Sequence, residues 1–194
     1  MSDFQVGIVL YADAEELDWA GPYEVFSMAA MQKDLKVTTI AEKPGPIRCA
    51  KGLRVVAEHG FDDAPELDLV LVPGGQGSRV EMDNPVMIDW LRKAAEPCTW
   101  VTSVCTGAIL LCRAGLATGC EVTTHWGYIE TLRELAPDVS VKENVRYVRD
   151  GRVVTSAGVS AGIDMSLWLV GEIYGAEHAR TTRRFMEYDP APPY

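Results

Sequence analysis

The stretch Trp100-Val101-Thr102-Ser103-Val104-Cys105-Thr106-Gly107-Ala108-Ile109-Leu110-Leu111 constrains this chain more than any other. Its first half is β-branched and apolar, the mark of a buried strand. Its second half reads as the first turns of a helix. A cysteine, a small residue and a glycine form the corner between them. A strand that turns sharply into a helix presents its corner side chain at the carboxyl edge of a sheet, above free backbone N–H groups. A thiol held there is expected to ionise more readily, because the helix field favours the thiolate. A free cysteine ordinarily packs as a small hydrophobe. The strand, small-residue and helix context of Cys105 instead predicts a nucleophile on an elbow.

Other segments fit an α/β chain. Gln5–Tyr11, Leu35–Ala41, Leu67–Val72 and Thr99–Val104 read as strands, and Glu121–Thr124 as a shorter one. Gly52–Glu58 reads as a strand or hairpin arm, after a break at Pro44-Gly45-Pro46. Val145–Val148 and Val153–Thr155 read as a hairpin around Asp150-Gly151. A helix is predicted to open near Pro22, which suits a first turn. Further helices are predicted over Pro85–Ala95, Thr106–Ala114, Tyr128–Leu135, Ile163–Tyr174 and Ala176–Phe185. Alternating strands and helices imply right-handed crossovers and a doubly wound, mostly parallel sheet. No linker or repeat interrupts residues 1–194, so a single domain is expected. Ligands of such sheets bind at the carboxyl ends of the strands. Asp18, Gly74-Gly75-Gln76, Cys105-Thr106 and Gly158-Val159 all fall at that edge.

Composition narrows the partners. A formal charge of −10 argues against nucleic acid and against an anionic membrane. No apolar stretch is long enough to span a bilayer, and Met1-Ser2-Asp3-Phe4 lacks the features of a signal peptide. Five scattered cysteines read as free thiols in a reducing cytoplasm. Their spacing suits no metal, and no metal or cofactor is expected. Cys49, Cys98, Cys112 and Cys120 read as structural. His59 and His178 read as surface residues, and Arg180, Arg183 and Arg184 as the solvated face of the last helix.

The edge residues suggest a chemistry. A carboxyl beside a thiolate in a partly dry pocket has its pKa raised, so Asp18 suits a general acid; its ordinary alternative is a helix cap. The N–H groups of Gly74 and Gly75, with that of Thr106, suit an oxyanion hole; their ordinary alternative is a tight turn. His125 is either a base for Cys105 or a partly buried structural histidine crowded by Trp126, and the sequence leaves both open.

These residues lie in stretches that resemble a known family. L-D-W-A-G-P-Y-E-V-F (17–26), V-P-G-G (72–75), V-T-S-V-C-T-G-A (101–108), G-L-A-T-G-C-E-V-T-T-H-W (115–126) and S-A-G-V-S-A-G-I-D (156–164) resemble the ThiJ/PfpI superfamily, of the class I glutamine amidotransferase-like fold. The similarity reaches into its isonitrile hydratase branch, including the terminal E-Y-D-P-A-P-P-Y. It implies a flavodoxin-like three-layer α/β/α sandwich that forms a homodimer. It implies that Cys105 is the nucleophile, that Asp18 replaces the glutamate of much of the superfamily, and that Thr106 supports the site by hydrogen bonding. It also implies hydration of an isonitrile to an N-substituted formamide without a cofactor. Gly158, Val159 and Trp19 are then expected to shape an apolar pocket for a small uncharged substrate. The same superfamily includes glyoxalases or deglycases and proteases, for which a histidine base is expected. It also includes the amidotransferase-like domains of AraC-type regulators, so a ligand or redox sensor is a further alternative.

Overall fold

The apolar runs of the sequence form strands covered on both faces. The computed structural model describes residues 3–190, so Met1, Ser2 and the Ala191–Tyr194 end of the tail lie outside the described residues. In chain order the elements are β1 (Phe4–Val9), α1 (Glu16–Ala30), β2 (Leu35–Ala41), β3 (Gly45–Arg48), β4 (Arg54–Ala57), β5 (His59–Gly60), β6 (Leu69–Val72), α2 (Ser78–Glu81), α3 (Pro85–Ala94), β7 (Trp100–Val104), α4 (Ala108–Arg113), β8 (Glu121–Val122), α5 (Ile129–Leu135), β9 (Ser140–Val141), β10 (Tyr147–Asp150), β11 (Val153–Ser156), α6 (Ala161–Tyr174) and α7 (Ala176–Phe185). Short 3-10 turns lie at Cys105–Gly107 and Trp126–Tyr128.

A seven-stranded sheet in the order β10-β11-β7-β6-β1-β2-β5 forms the middle layer. Its pairs are parallel except β10 with β11. Every residue of β6 and β7 is buried, as a central parallel strand between two helix layers requires. Helices α1, α6 and α7 pack together in one layer, and α3 and α4 in the other. The result is the three-layer α/β/α fold with a mostly parallel sheet. The strand order reverses between β1 and β6, with β2 on one side and β7 on the other. That reversal opens a crevice at the carboxyl ends of the strands, where the loops after β1 and β6 diverge.

Several local expectations are corrected. Pro22 lies in the middle of α1, which begins at Glu16. The helix starts early because the chain before it is tied to the loop after β6: Ala14 bridges Gly75, and the Glu15 N–H donates to the Gly74 carbonyl at 2.9 Å. Gly45 and Pro46 do not break the chain but open β3, which pairs antiparallel with β4 in a separate ribbon. A two-stranded ribbon has a free edge, and proline is tolerated there. The two-residue strands β5 and β9 and the four-residue α2 are too short to show a period in sequence. His178 is buried, with Nε2 at 3.1 Å from the Ala29 carbonyl oxygen. Helix α7 folds back onto α1, so its His178 and Thr182 face inward while Arg180, Arg183 and Arg184 are exposed. His59 is half-buried, 3.5 Å from Asp63. Among the described residues no helix is long and apolar enough to cross a membrane.

Candidate active site

β7 ends at Val104 in extended geometry, and the next residue turns sharply: Cys105 has φ of +57°. A non-glycine residue in this left-handed region is strained by roughly 1–3 kcal/mol and persists only where its surroundings hold it. Here the Thr124 hydroxyl donates to the Cys105 carbonyl at 2.8 Å. Glycines clear the space around the corner. A Cβ on Gly158, itself at φ +109°, would lie 2.7 Å from the Cys105 Cβ and 3.1 Å from its Sγ. A Cβ on Gly74 would lie 2.5 Å from the Thr106 nitrogen. Neither position has room for a side chain.

Asp18 stands in the first turn of α1, fully buried. Its Oδ2 accepts the Gly74 N–H at 3.0 Å, while the buried Oδ1 has no hydrogen-bond partner among the described residues. The Cys105 thiol interacts with this carboxyl. Burial pushes the Asp18 pKa up to about 7, against the restraint of the Gly74 hydrogen bond and the Cys105 thiol. This is the direction expected of a buried acid.

The Cys105 thiol behaves differently from the expectation of easy ionisation. Its pKa is pushed up to about 12, first by burial and then by the Asp18 charge, while the Thr106 N–H and side chain pull it down. Only a short 3-10 turn stands at the start of the helix, and its field is outweighed by desolvation and by a neighbouring carboxyl. Each group shifts the other, so the pair is judged together rather than thiol or acid alone.

The glycine pair also has a different role from an oxyanion hole. The Gly74 N–H is committed to Asp18, and the Gly75 N–H donates to the Thr106 hydroxyl oxygen at 3.0 Å. Thr106 Oγ1 also accepts from the Ser78 hydroxyl at 2.8 Å. The loop after β6 therefore positions the acid and the threonine, and the N–H that faces the Cys105 sulfur is that of Thr106. Tyr11, which the sequence pattern does not single out, completes this arrangement. Its buried hydroxyl donates to the Pro73 carbonyl and lies 3.2 Å from the Gly74 carbonyl oxygen.

A cavity of about 240 Å³ opens over Cys105 and Thr106, and Gly75 and Val159 line it. A second cavity of about 380 Å³ adjoins it, sharing His125 and Val159 and reaching Gly158. Trp19 lines neither. It is buried beside Cys49, because consecutive helix residues point about 100° apart and Asp18 takes the face toward the sheet edge. His125 reaches the cavity but makes no hydrogen bond to Cys105. Its Nδ1 accepts the Gly127 N–H at 3.2 Å, a cap on the following turn. Trp126 is 82% exposed and lines the second cavity, not the one over Cys105.

The expected apolar pocket is in fact charged at its rim. Glu15, Lys51 and Arg79 line the cavity, with Lys51 Nζ 2.6 Å from Glu15 Oε2. Glu15 follows the loop that carries Asp18 into place, and Arg79 lies one turn beyond Gly75. Lys51 comes from the hairpin side, far away in sequence. Among the described residues no group of three or more His, Cys, Asp or Glu side chains is placed to hold a metal ion.

Comparison with known proteins agrees with this architecture. Residues 5–172 match the DJ-1/PfpI family. An isonitrile hydratase of Pseudomonas putida is 38% identical over 190 residues, covering 98% of this chain and 81% of the relative. The HTH-type transcriptional regulator CdhR of Pseudomonas aeruginosa is 30% identical over 135 residues, which is 70% of this chain and 40% of the regulator. The crystal structure of a ThiJ/PfpI family protein from Pseudomonas syringae matches with a TM-score of 0.92 and 28% identity, covering 100% of this chain and 78% of the other. An elbow cysteine at the crevice of a doubly wound sheet, and a sequence match over most of its length, make this chain a member of the DJ-1/PfpI family.

Proposed function

We propose that the protein is an isonitrile hydratase, with Cys105 as nucleophile and Asp18 as the acid–base partner. The observation that carries this reading is the buried pair of the elbow Cys105 and Asp18, in which burial pushes the carboxyl up to about 7 beside the thiol. Carbon of an isonitrile needs both a nucleophile and a proton at the same atom. In its carboxylate form Asp18 takes the thiol proton, and the Cys105 sulfur attacks the terminal carbon of R–N≡C. Asp18 then returns that proton to the same carbon, giving the thioimidate R–N=CH–S–Cys105. As carboxylate again, Asp18 removes a proton from water, whose oxygen adds to the thioimidate carbon. Asp18 passes that proton to the nitrogen, the C–S bond breaks as the hydroxyl proton moves to sulfur by way of Asp18, and the thiol and the formamide R–NH–CHO are released. The sum is one isonitrile and one water to one formamide, with no redox change.

Thr106 supports the sulfur through its N–H, and the elbow glycines keep the approach to it open. The cap role of His125 weighs against a histidine-activated protease or glyoxalase. Five free cysteines fit a reducing cytoplasm, and the family resemblance fits a homodimer.

The test is turnover of phenyl isocyanide to N-phenylformamide, repeated in heavy water. The reading expects formamide with deuterium on the formyl carbon, because that hydrogen comes from the exchangeable thiol–carboxyl pair. A folded, fully reduced protein that yields no formamide overturns it, and a small-ligand sensor becomes the reading to pursue.

A further inference from the structure

Three formally charged side chains line the cavity above Cys105, and they are not equivalent. Glu15 and Lys51 neutralise each other across 2.6 Å. Arg79 forms no ion pair among the described residues. Of the charged side chains that line the cavity, Arg79 is thus the one without an ionic partner among the described residues, in a chain whose formal net charge is −10.

An exposed arginine is usually a solvated, swinging group. Arg79 is held from two sides. Its Nη1 donates to the Gly75 carbonyl at 3.0 Å, and its guanidinium lies 4.8 Å from the centroid of the Tyr128 ring. Gly75 belongs to the loop that also holds Thr106, so the guanidinium is fixed to the same framework as the elbow. Its Nε and Nη2 hydrogens have no acceptor among the described residues. A planar fork of donors, immobilised and desolvated on one face by an aromatic ring, matches a carboxylate in shape and charge. A local cation in an acidic protein also draws an anion to the one place where it is productive. Gln76, on the same rim, offers an amide to the same region.

We propose that the substrate is an isonitrile bearing a carboxylate, with Arg79 holding the carboxylate and Cys105 receiving the isonitrile carbon. This replaces the uncharged substrate expected from the sequence, and its reactive end rests on the hydratase reading. The carboxylate end does not.

The experiment compares 4-isocyanobenzoate with 4-isocyanotoluene for the wild type, Arg79→Gln and Arg79→Lys. The wild type is expected to favour the carboxylate in kcat/KM by about tenfold or more, mainly through KM. Arg79→Gln is expected to abolish that preference, and Arg79→Lys to restore part of it, since lysine keeps the charge without the fork. A wild type that shows no preference, or a preference unmoved by Arg79→Gln, overturns the proposal. In parallel, 4-formamidobenzoate is titrated calorimetrically into the wild type and Arg79→Gln. If neither isonitrile is hydrated, the hydratase reading fails on its own, and this titration decides the carboxylate site: binding lost in Arg79→Gln supports it, and equal binding overturns it.

Discussion

β7 lies between two cysteines, Cys98 two residues before it and Cys105 just after it, and the two thiols are alike in the property most often used to judge reactivity. Burial pushes both Cys98 and Cys105 up to about 12. Their surroundings differ. The Cys98 sulfur lies 3.2 Å from the carbonyl oxygens of Leu67 and Ala94, and Arg152 ties down its own carbonyl at 2.9 Å. A carbonyl accepts a hydrogen bond but does not take the proton at neutral pH, so Cys98 stays a thiol. Cys105 meets the Asp18 carboxyl, which titrates near 7 and can take the proton and give it back. The amino end of the strand closes over its cysteine with ordinary packing, whereas the carboxyl end leaves room through Gly74 and Gly158. On the proposed reading, the nucleophile is made by a proton partner and by space, not by an acidic thiol.

The largest effect that follows is the contrast between two conservative substitutions. Cys105→Ser is expected to lower isonitrile turnover by about a thousandfold or more, because an alcohol passes its proton to a carboxylate far less readily than a thiol. Cys98→Ser keeps the same hydrogen bonds and is expected to leave turnover within about twofold. Initial rates of formamide formation check both. Comparable losses at the two ends would break the distinction between them.

Asp18→Asn sharpens the same contrast by removing the proton partner and keeping the shape. Turnover is expected to fall by about a hundredfold or more. Stability moves the opposite way. The folded pKa of about 7 lies above the ordinary value of 3.8, so the folded state holds its proton more tightly. Stability is then lost as pH rises from the lower value through the higher one, by up to about 4 kcal/mol. The asparagine variant carries no such penalty. Its gain in melting temperature is expected to be larger at about pH 8 than at about pH 5, measured by circular dichroism. In the wild type, kcat/KM for a neutral isonitrile is expected to rise with pH by about tenfold per unit below 7 and then level off, as the pair loses its first proton. A flat profile would dissociate Asp18 from the chemistry.

The elbow at Cys105 and the nearness of Asp18 were readable because each lies in a short local pattern: an apolar strand followed by Cys-Thr-Gly, and an acid at the start of a helix after a strand. What the glycine loop does was not. Nothing in Gly74-Gly75 reveals that its N–H groups are taken by Asp18 and Thr106, since both partners arrive from other parts of the chain. Lys51 and Arg79 are hidden in the sequence for the same reason. They are unremarkable in sequence and meet only where the hairpin loop and α2 converge on the cavity. Trp19 and His178 failed in opposite directions. An aromatic beside a catalytic candidate reads as pocket lining but turns into the core, and a histidine in a polar helix reads as surface but turns against α1. In both cases the face of a helix, which depends on its exact start and on what it packs against, decided the outcome.

The smallest effect concerns a residue that has no counterpart at the Cys98 end. Tyr11 follows β1, and its hydroxyl donates to the Pro73 carbonyl beside Gly74. Gly74 in turn gives its N–H to Asp18, a bond that holds the Asp18 pKa down against burial. Tyr11→Phe leaves the ring in place and frees that peptide. Loss of one hydrogen bond is worth about 1 kcal/mol, so kcat/KM at neutral pH is expected to fall about fivefold. The more telling change is in the pH profile. With the Gly74 bond loosened, desolvation acts on Asp18 with less opposition, and the midpoint of the rise is expected to move above 7, so that much of the lost activity returns at about pH 9. If Tyr11 served packing alone, the variant would melt earlier while its midpoint stayed where it was. A shifted midpoint instead makes the hydroxyl part of the apparatus that tunes the acid, and extends the difference between the two ends of β7 back to the strand beside it.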